Sequence, residues 1–164
     1  MKSILKNSNG RKIIKGDKNS IENIRDLIFL ISMYRHDSMG DGKEFSSLEM
    51  KNLEHLIKST PDVNFYLIYL NGELGGGAIT FKTFSSFSAK HLINIHDFFI
   101  VKNFRKVGLG SDLLKEIIAD AKDQNCCKVT LEVREDNLIA QDLYKKTGFL
   151  EAMPNMLFWH SPIT

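Results

Sequence analysis

The feature that most constrains the fold is a strand, helix, strand sequence in the second half of the chain. An apolar run over residues 92–101 predicts a strand, and two glycines, Gly108 and Gly110, follow it. Behind them, apolar residues recur at helical spacing at Leu113, Leu114, Ile117, Ile118 and Ala121. Alternation over residues 128–133 predicts a second strand. Because a helix connects the two strands, they are expected to pair in parallel.

Upstream of this crossover the sequence predicts antiparallel strands. Asn71-Gly72 separates apolar runs over residues 65–70 and 74–81, and this dipeptide readily adopts the positive φ angles of a two-residue hairpin turn. The strand at 92–101 follows a polar turn at 85–90. The sheet is therefore expected to begin as an antiparallel meander.

The other expected elements are a strand at 12–15, helices at 20–34, 48–57 and 138–147, a loop at 35–46, and closing strands at 149–152 and 156–160. Gly148 is a natural stop for the last helix. These elements predict an α/β (α+β) fold, a mixed sheet whose antiparallel meander precedes a parallel crossover, with helices on both faces. We expect one domain over residues 1–164, beginning with a flexible N-terminal segment at 1–10.

Composition excludes several classes of function. The net charge is only +2, because 22 Lys and Arg nearly balance 20 Asp and Glu, so nucleic acid is not expected as a partner. The N-terminus is too polar for a signal peptide, and no run approaches the roughly 20 apolar residues of a membrane span. Cys126 and Cys127 are adjacent, which fits neither a disulfide nor a metal site. We expect a cytoplasmic protein that binds neither membrane nor metal.

The turn between the strand and the helix has the features of an anion site. Ile100–Ser111 brings a strand end, a basic pair, two glycines and a helix start into succession. The first N–H groups of a helix have no intrahelical partner and lie at the positive end of its dipole. We therefore expect the turn to bind a diphosphate. The expected amide donors are Val107, Gly108, Leu109 and Gly110, and the expected cations are Arg105, Lys106 and Lys102.

Two other interpretations of the glycines stay open. They could simply permit a tight strand-to-helix turn. They could also open a dinucleotide fold, with Glu132 near the end of the next strand as the ribose ligand. Against the second, Leu113 stands in place of the third glycine, and a meander is not a doubly wound sheet. A triphosphate loop is disfavoured because the Gly-Lys-Ser/Thr ending is absent.

The arrangement Arg105-x-x-Gly108-x-Gly110, helix, strand, then Asn137, Ala140, Tyr144 and Gly148-Phe149 resembles the GNAT superfamily of N-acetyltransferases. Residues 96–110 look particularly similar to diamine (spermidine/spermine) acetyltransferases, whereas residues 1–60 match the superfamily only in element order. Lys106 departs from the pattern, because most members have glycine there. The resemblance implies an enzyme that uses acetyl-CoA as the acetyl donor.

In such enzymes the glycine turn holds the coenzyme pyrophosphate, and a bulged strand splays from its neighbour so that its backbone pairs with the pantetheine arm. The implied coenzyme-binding residues are Phe98, Phe99, Ile100, Arg105, Lys106, Val107, Gly108, Leu109, Gly110, Ser111, Asn137 and Tyr144.

The resemblance also suggests catalytic residues. Tyr144 matches the tyrosine that donates a proton to the departing thiolate. His96 stands where several members carry a glutamate base, and histidine suits this role near neutral pH. Asp97 is a second potential base if a bulge redirects its side chain, and Glu132 with a water is a third. Each of these could instead be a structural residue, and the oxyanion donor is expected to be the N–H of Phe99 or Ile100.

The acceptor is expected to be a small primary amine or polyamine, bound near the connection between the first two helices. This connection contains His36 and three acidic residues, Asp37, Asp41 and Glu44. Acidic residues there favour a cationic amine. Alternatives with the same core are an acetyltransferase acting on protein N-termini or aminoglycosides, and a non-catalytic acyl-CoA-binding sensor. A homodimer is expected by analogy with the family.

Overall fold

The computed structural model describes residues 3–37, 40, 42–154 and 156–163. These residues divide into two compact units, Met1–Glu132 and Val133–Thr164. Asp41, one of the predicted acceptor-side acids, lies outside the described residues.

The first unit contains a six-stranded sheet whose strands are neighbours in chain order. The strands are β1 (Ser3–Ser8), β2 (Arg11–Lys15), β3 (Val63–Leu70), β4 (Glu73–Ser85), β5 (Lys90–Ile100) and β6 (Val129–Leu131). All pairs are antiparallel except β5 with β6, which are parallel. The predicted meander followed by a parallel crossover is therefore confirmed. β1 occupies part of the segment for which we expected a flexible terminus.

Three helices belong to this unit: α1 (Ile21–His36), α2 (Ser47–Ser59) and α3 (Leu109–Asp123). Ser20 caps α1 by accepting from the amide of Asn23, and Ser46 with Glu49 forms a capping box at α2. α3 begins instead after Gly108, which makes no side-chain cap. Of the three helices α1, α2 and α3 as the structure describes them, only α3 starts without a side-chain cap.

Alternation along β3 explains why helices cover both faces of the sheet. Phe65 and Leu67 pack in the same buried cluster as Leu27 and Leu30 of α1. The intervening Tyr66 points to the opposite face, where its hydroxyl donates to Asp120 of α3. Each face therefore buries one apolar stripe of a helix, as the spacing predicted.

The hairpin turn at Asn71-Gly72 is confirmed, with φ angles of 52° and 87°. Asn9-Gly10 makes a second turn of the same kind between β1 and β2, with φ angles of 51° and 72°. The sequence shows the same type of dipeptide at this turn. No long apolar run precedes it, so the sequence pattern does not predict β1.

The second unit contains α4 (Leu138–Lys146), and Gly148 follows it with φ of 94°. The closing strands predicted at 149–152 and 156–160 are wrong, because residues 149–154 and 156–163 form no strand. An apolar run becomes a strand only where an edge pairs with its backbone, and Pro154 cannot donate in a ladder. Leu157 and Trp159 remain about 80% exposed, at 77% and 82%. Within the described ranges, no helix is long and apolar enough to cross a membrane.

Candidate functional site

The turn between β5 and α3 contains two residues in the left-handed region. After a short 3-10 helix, Lys102–Phe104, Lys106 adopts φ of 65° and Gly108 adopts φ of 87°. Gly108 is suited to this conformation, whereas Lys106 has a Cβ that makes it costly. Successive N–H groups in a turn can form a concave surface that binds anions.

The amides of this turn have no hydrogen-bond acceptor in the part of the chain that the structure describes. Among the residues that the structure describes, none accepts a hydrogen bond from the N–H groups of residues 107–111. The first helical bond joins the amide of Asp112 to the carbonyl of Gly108, at 3.1 Å. The predicted donors are thus available at the positive end of α3.

Arg105 is held by two groups on either side of the turn. Its Nε donates to the carbonyl of Ile100 at 2.9 Å, and its Nη2 donates to the carboxylate of Asp37 at 2.8 Å. The guanidinium also lies 5.7 Å from the centre of the Phe99 ring. The predicted arginine therefore connects the end of β5 with the end of α1, while Lys106 is exposed.

A second arginine at the turn was not predicted. Arg11, at the start of β2, donates from Nη2 to the carbonyl of Val107 at 2.5 Å. Its Nη1 forms an ion pair with Asp112 in the first turn of α3. Nothing local in the sequence indicates this contact, since the partners are separated by about a hundred residues and meet only through the sheet.

β5 has an open edge next to this turn. It pairs with β6 only from Ile93 to Ile95, so the following residues have no strand on that side among the described residues. The amide of Val101 donates to Gly75 in the segment of β4. Alternation then points the Phe99 amide toward β4 and those of Phe98 and Ile100 toward the open edge.

A β-bulge interrupts β5 at the predicted catalytic residues. Asp97 pairs with Ile79 and Ile95 pairs with Thr80, so His96 is the extra residue. The His96 side chain is exposed, and its ring meets Phe81 edge-on at 5.2 Å. The bulge breaks the alternation that would separate His96 from Asp97.

Asp97 is half-buried against an apolar wall. It lines a cavity of about 10 Å³, room for one water at most, together with Tyr34, Phe99 and side chains of α1. No described residue donates a hydrogen bond to its carboxylate. Burial raises the pKa of Asp97, and the neighbouring His96 acts in the opposite direction. A carboxylate in this environment binds a proton more readily than an exposed one.

Glu132 lies at the end of β6 and is exposed. Both carboxylate oxygens accept from Nδ2 of Asn94, each at 3.3 Å. Asn94 also donates to the hydroxyl of Thr130 at 3.2 Å. The structure thus ties Glu132 to the paired part of β5, before the bulge.

The connection after α1 carries fewer unpaired acids than its sequence indicates. Asp37 pairs with Arg105, as described above. Arg35 contacts Glu49 of α2 at 3.4 Å and lies over the Phe45 ring at 4.2 Å. These contacts tie the end of α1 to both α2 and the turn. His36 and Glu44 are exposed.

In the second unit, Tyr144 lies in α4 with 9% of its surface exposed. Its ring is 5.8 Å from that of Phe149. Asn137 caps α4, because its Oδ1 accepts from the amide of Ala140 at 3.2 Å. Throughout the described residues, no three His, Cys, Asp or Glu side chains gather as a metal site would require.

Comparison with known proteins identifies similar chains. Residues 30–149 match the acetyltransferase (GNAT) family. The uncharacterised N-acetyltransferase YhfO of Bacillus subtilis is 32% identical over 120 residues, which cover 72% of this chain and 74% of that one. An N-alpha-acetyltransferase of Sulfolobus acidocaldarius is 36% identical over 97 residues, 53% and 56% of the two chains.

A solved structure shares the fold at low identity. It is an aminoglycoside acetyltransferase, meta-AAC0020, from an uncultured soil metagenomic sample. Its TM-score is 0.75 at 20% identity, and the alignment covers 96% of this chain and 97% of that one. The family match spans residues of both compact units.

Proposed function

The chain belongs to the GNAT family of acetyltransferases, and from this premise we propose that it transfers the acetyl group of acetyl-CoA to a small primary amine. The observation that carries the proposal is the row of amides at residues 107–111, for which the described residues supply no acceptor and which begins a helix beside an open strand edge. These groups fit a diphosphate with an extended arm. The open edge adjoins the bulge that holds the half-buried Asp97.

The binding residues follow from this geometry. The amides of residues 107–111 hold the diphosphate, and Arg105 and Lys106 add positive charge. The open edge of β5 hydrogen-bonds the pantetheine arm through the backbone of Ile100. Of the two amides predicted to face the thioester oxygen, that of Ile100 is the better supported, because alternation directs Phe99 toward β4.

In the reaction, the amine nitrogen forms a bond to the acetyl carbon and the carbon–sulfur bond breaks. The amine loses a proton to a base, and the thiolate gains one from an acid. The N–H of Ile100 stabilises the negative charge that develops on the acetyl oxygen. Coenzyme A and the acetylated amine are the products.

We propose Asp97 as the base and as the anchor for a cationic amine, with exposed His96 as the alternative. Asp97 is supported by its raised pKa, its apolar surroundings and the lack of a described hydrogen-bond donor to it. A base of raised pKa takes a proton from an ammonium group more readily. Tyr144 as the acid rests on the family resemblance alone.

The acceptor class is a small amine, with diamines and polyamines first. Acetylation of protein N-termini or of aminoglycosides is the alternative, which the Sulfolobus relative and the meta-AAC0020 structure favour by name. A coenzyme-binding protein without turnover is the third. We also propose that the chain acts in the cytoplasm as one domain over residues 1–164, and as a homodimer.

The proposal is tested by thiol release from acetyl-CoA with a panel of diamines, polyamines, aminoglycosides and N-terminal peptides. We expect turnover with at least one class, and Tyr144→Phe to lower kcat about a hundredfold while KM for acetyl-CoA stays within threefold. Stabilisation by coenzyme A without release on any amine would favour the sensor, and stabilisation by NAD instead would revive the dinucleotide interpretation. An unchanged kcat in Tyr144→Phe would remove that residue from the mechanism.

A further inference from the structure

Arg11 of β2 contacts the turn at residues 105–111 and the first turn of α3. Its Nη2 donates to the carbonyl of Val107 at 2.5 Å, and its Nη1 pairs with Asp112. A Cβ built on Gly108 would lie 3.5 Å from both terminal nitrogens of this guanidinium. Arg11 is therefore packed against the backbone of the turn, although the proposed reaction gives it no role.

The contact with Val107 determines where the next N–H points. The only cis peptide bond among the described residues is Met153-Pro154, so the bond between Val107 and Gly108 is trans. In a trans peptide the C=O and N–H point in opposite directions. Since Arg11 holds the carbonyl of Val107 toward β2, the N–H of Gly108 is held pointing away from β2.

The contact with Asp112 removes an unfavourable charge. A carboxylate in the first turn of α3 lies at the end of the helix where an anionic ligand would bind, and two like charges repel. The guanidinium of Arg11 neutralises this carboxylate, whose side chain is only 15% exposed. One side chain thus both orients an amide and compensates an acid.

A second pair of residues keeps α3 aligned with β2. Lys15 donates to Asp120 at 2.9 Å, and Tyr66 donates to the same carboxylate. The four residue-to-residue steps of strand from Arg11 to Lys15 span about 13 Å. The eight residue-to-residue steps of helix from Asp112 to Asp120 span about 12 Å. The two ion pairs therefore match in spacing and hold α3 along β2 at both ends.

We propose that Arg11 is a positioning residue for the acetyl donor. It pre-organises the N–H of Gly108 and cancels the charge of Asp112, so that the turn binds a diphosphate without rearranging. This inference rests on the proposed function, because it assigns the turn to the diphosphate of acetyl-CoA.

The test compares Arg11→Met with Lys12→Met, which removes a cation from the next residue of the same strand. Lys12 lies on the other face, where its ammonium is 6.0 Å from the Tyr69 ring. We expect Arg11→Met to raise both the calorimetric Kd for coenzyme A and KM for acetyl-CoA about ten- to a hundredfold. The kcat at saturating donor and KM for the amine should change less than threefold, and Lys12→Met should match the wild type.

Two further variants separate the two roles of Arg11. Arg11→Met with Asp112→Asn also removes the negative charge that Arg11 pairs with, but it does not restore the amide orientation, so it should recover only part of the affinity. Arg11→Lys keeps a positive charge beside Asp112, but an ammonium group cannot bind Val107 and Asp112 at once as the guanidinium does. It should therefore lose less affinity for coenzyme A than Arg11→Met. Thermal unfolding shows whether Arg11→Met folds. If it does not, the Kd of Arg11→Lys for coenzyme A tests the inference instead.

An unchanged Kd in Arg11→Met, or an equal loss of kcat and donor affinity, would overturn the inference. If the wild type binds coenzyme A but releases no thiol with any amine, the proposed function fails while the Kd values still test Arg11. If turnover is present and Arg11→Met binds coenzyme A like the wild type, the inference alone fails.

Discussion

The turn at residues 105–111 and the bulge at His96-Asp97 are close in sequence, yet they present different atoms to a ligand. The turn presents backbone N–H groups, which any residue of suitable φ supplies. The bulge presents side chains, whose properties depend on the wall formed by α1 and β4. The turn is therefore specified mainly by local glycine and helix signals, whereas the bulge is specified by packing between distant segments.

This difference predicts that the two regions control different kinetic constants. Changes in the turn should act on affinity for the donor, because its amides bind a part of acetyl-CoA that does not react. Changes at the bulge should act on turnover, because the base acts only as the transition state forms.

The largest effect is expected for Asp97→Asn. Removing the base should lower kcat about a hundred- to ten-thousandfold, while KM for acetyl-CoA stays within threefold. His96→Gln is the matched control one residue away, and it should cost less than tenfold. If His96→Gln loses as much as Asp97→Asn, the two residues act as a unit or the imidazole is the base.

Asp97→Asn should also stabilise the fold, by about 1 kcal/mol at neutral pH. Burial raises the pKa of Asp97 above its ordinary 3.8, so folding favours the protonated acid. Its contribution to stability is present below the unfolded pKa and is lost as the pH rises through the folded pKa. The advantage of asparagine should therefore grow from acid to neutral pH in urea denaturation, and an advantage that shrinks would contradict the buried carboxylate.

A smaller effect is expected for Arg105→Met in the turn. It should raise KM for acetyl-CoA about tenfold and leave kcat within threefold, because a charge beside the diphosphate is lost. Arg105→Lys should lose less. A fall in kcat with unchanged KM would mean that Arg105 acts through Ile100 on the reacting end of the donor, and would weaken the contrast between the two regions.

Sequence signals were sufficient where the chain determines its own conformation. The hairpin at Asn71-Gly72, the parallel crossover and the turn at Gly108 all follow from local patterns. They were insufficient where the conformation or contact of a residue depends on a segment distant in sequence. Arg11 reaches the turn only because β2 lies beside α3, and residues 149–154 and 156–163 form no strand because no edge pairs with them.

The same distinction applies to the charged residues of the site. Arg105 is recognisable from its spacing to Gly108, but its pairing with Asp37 depends on the end of α1. The raised pKa of Asp97 likewise requires the apolar wall around it, most of which α1 and β4 supply rather than β5. Types of residue in the site are thus predictable, whereas their charge state and orientation require the fold.

The smallest effect is expected for Lys106→Gly, and it tests whether the turn depends only on backbone. Lys106 has φ of 65°, which costs a residue with a Cβ about 1–2 kcal/mol. Glycine removes that cost but loses about 0.5–1 kcal/mol through its more flexible unfolded chain. Lys106→Ala is the matched control, because it removes the same charge and keeps the Cβ. We expect the glycine variant to be more stable than the alanine variant by up to about 1 kcal/mol in urea denaturation, with equal KM for acetyl-CoA. A less stable glycine variant would show that residue 106 is not left-handed, and the row of amides would then lose its geometry.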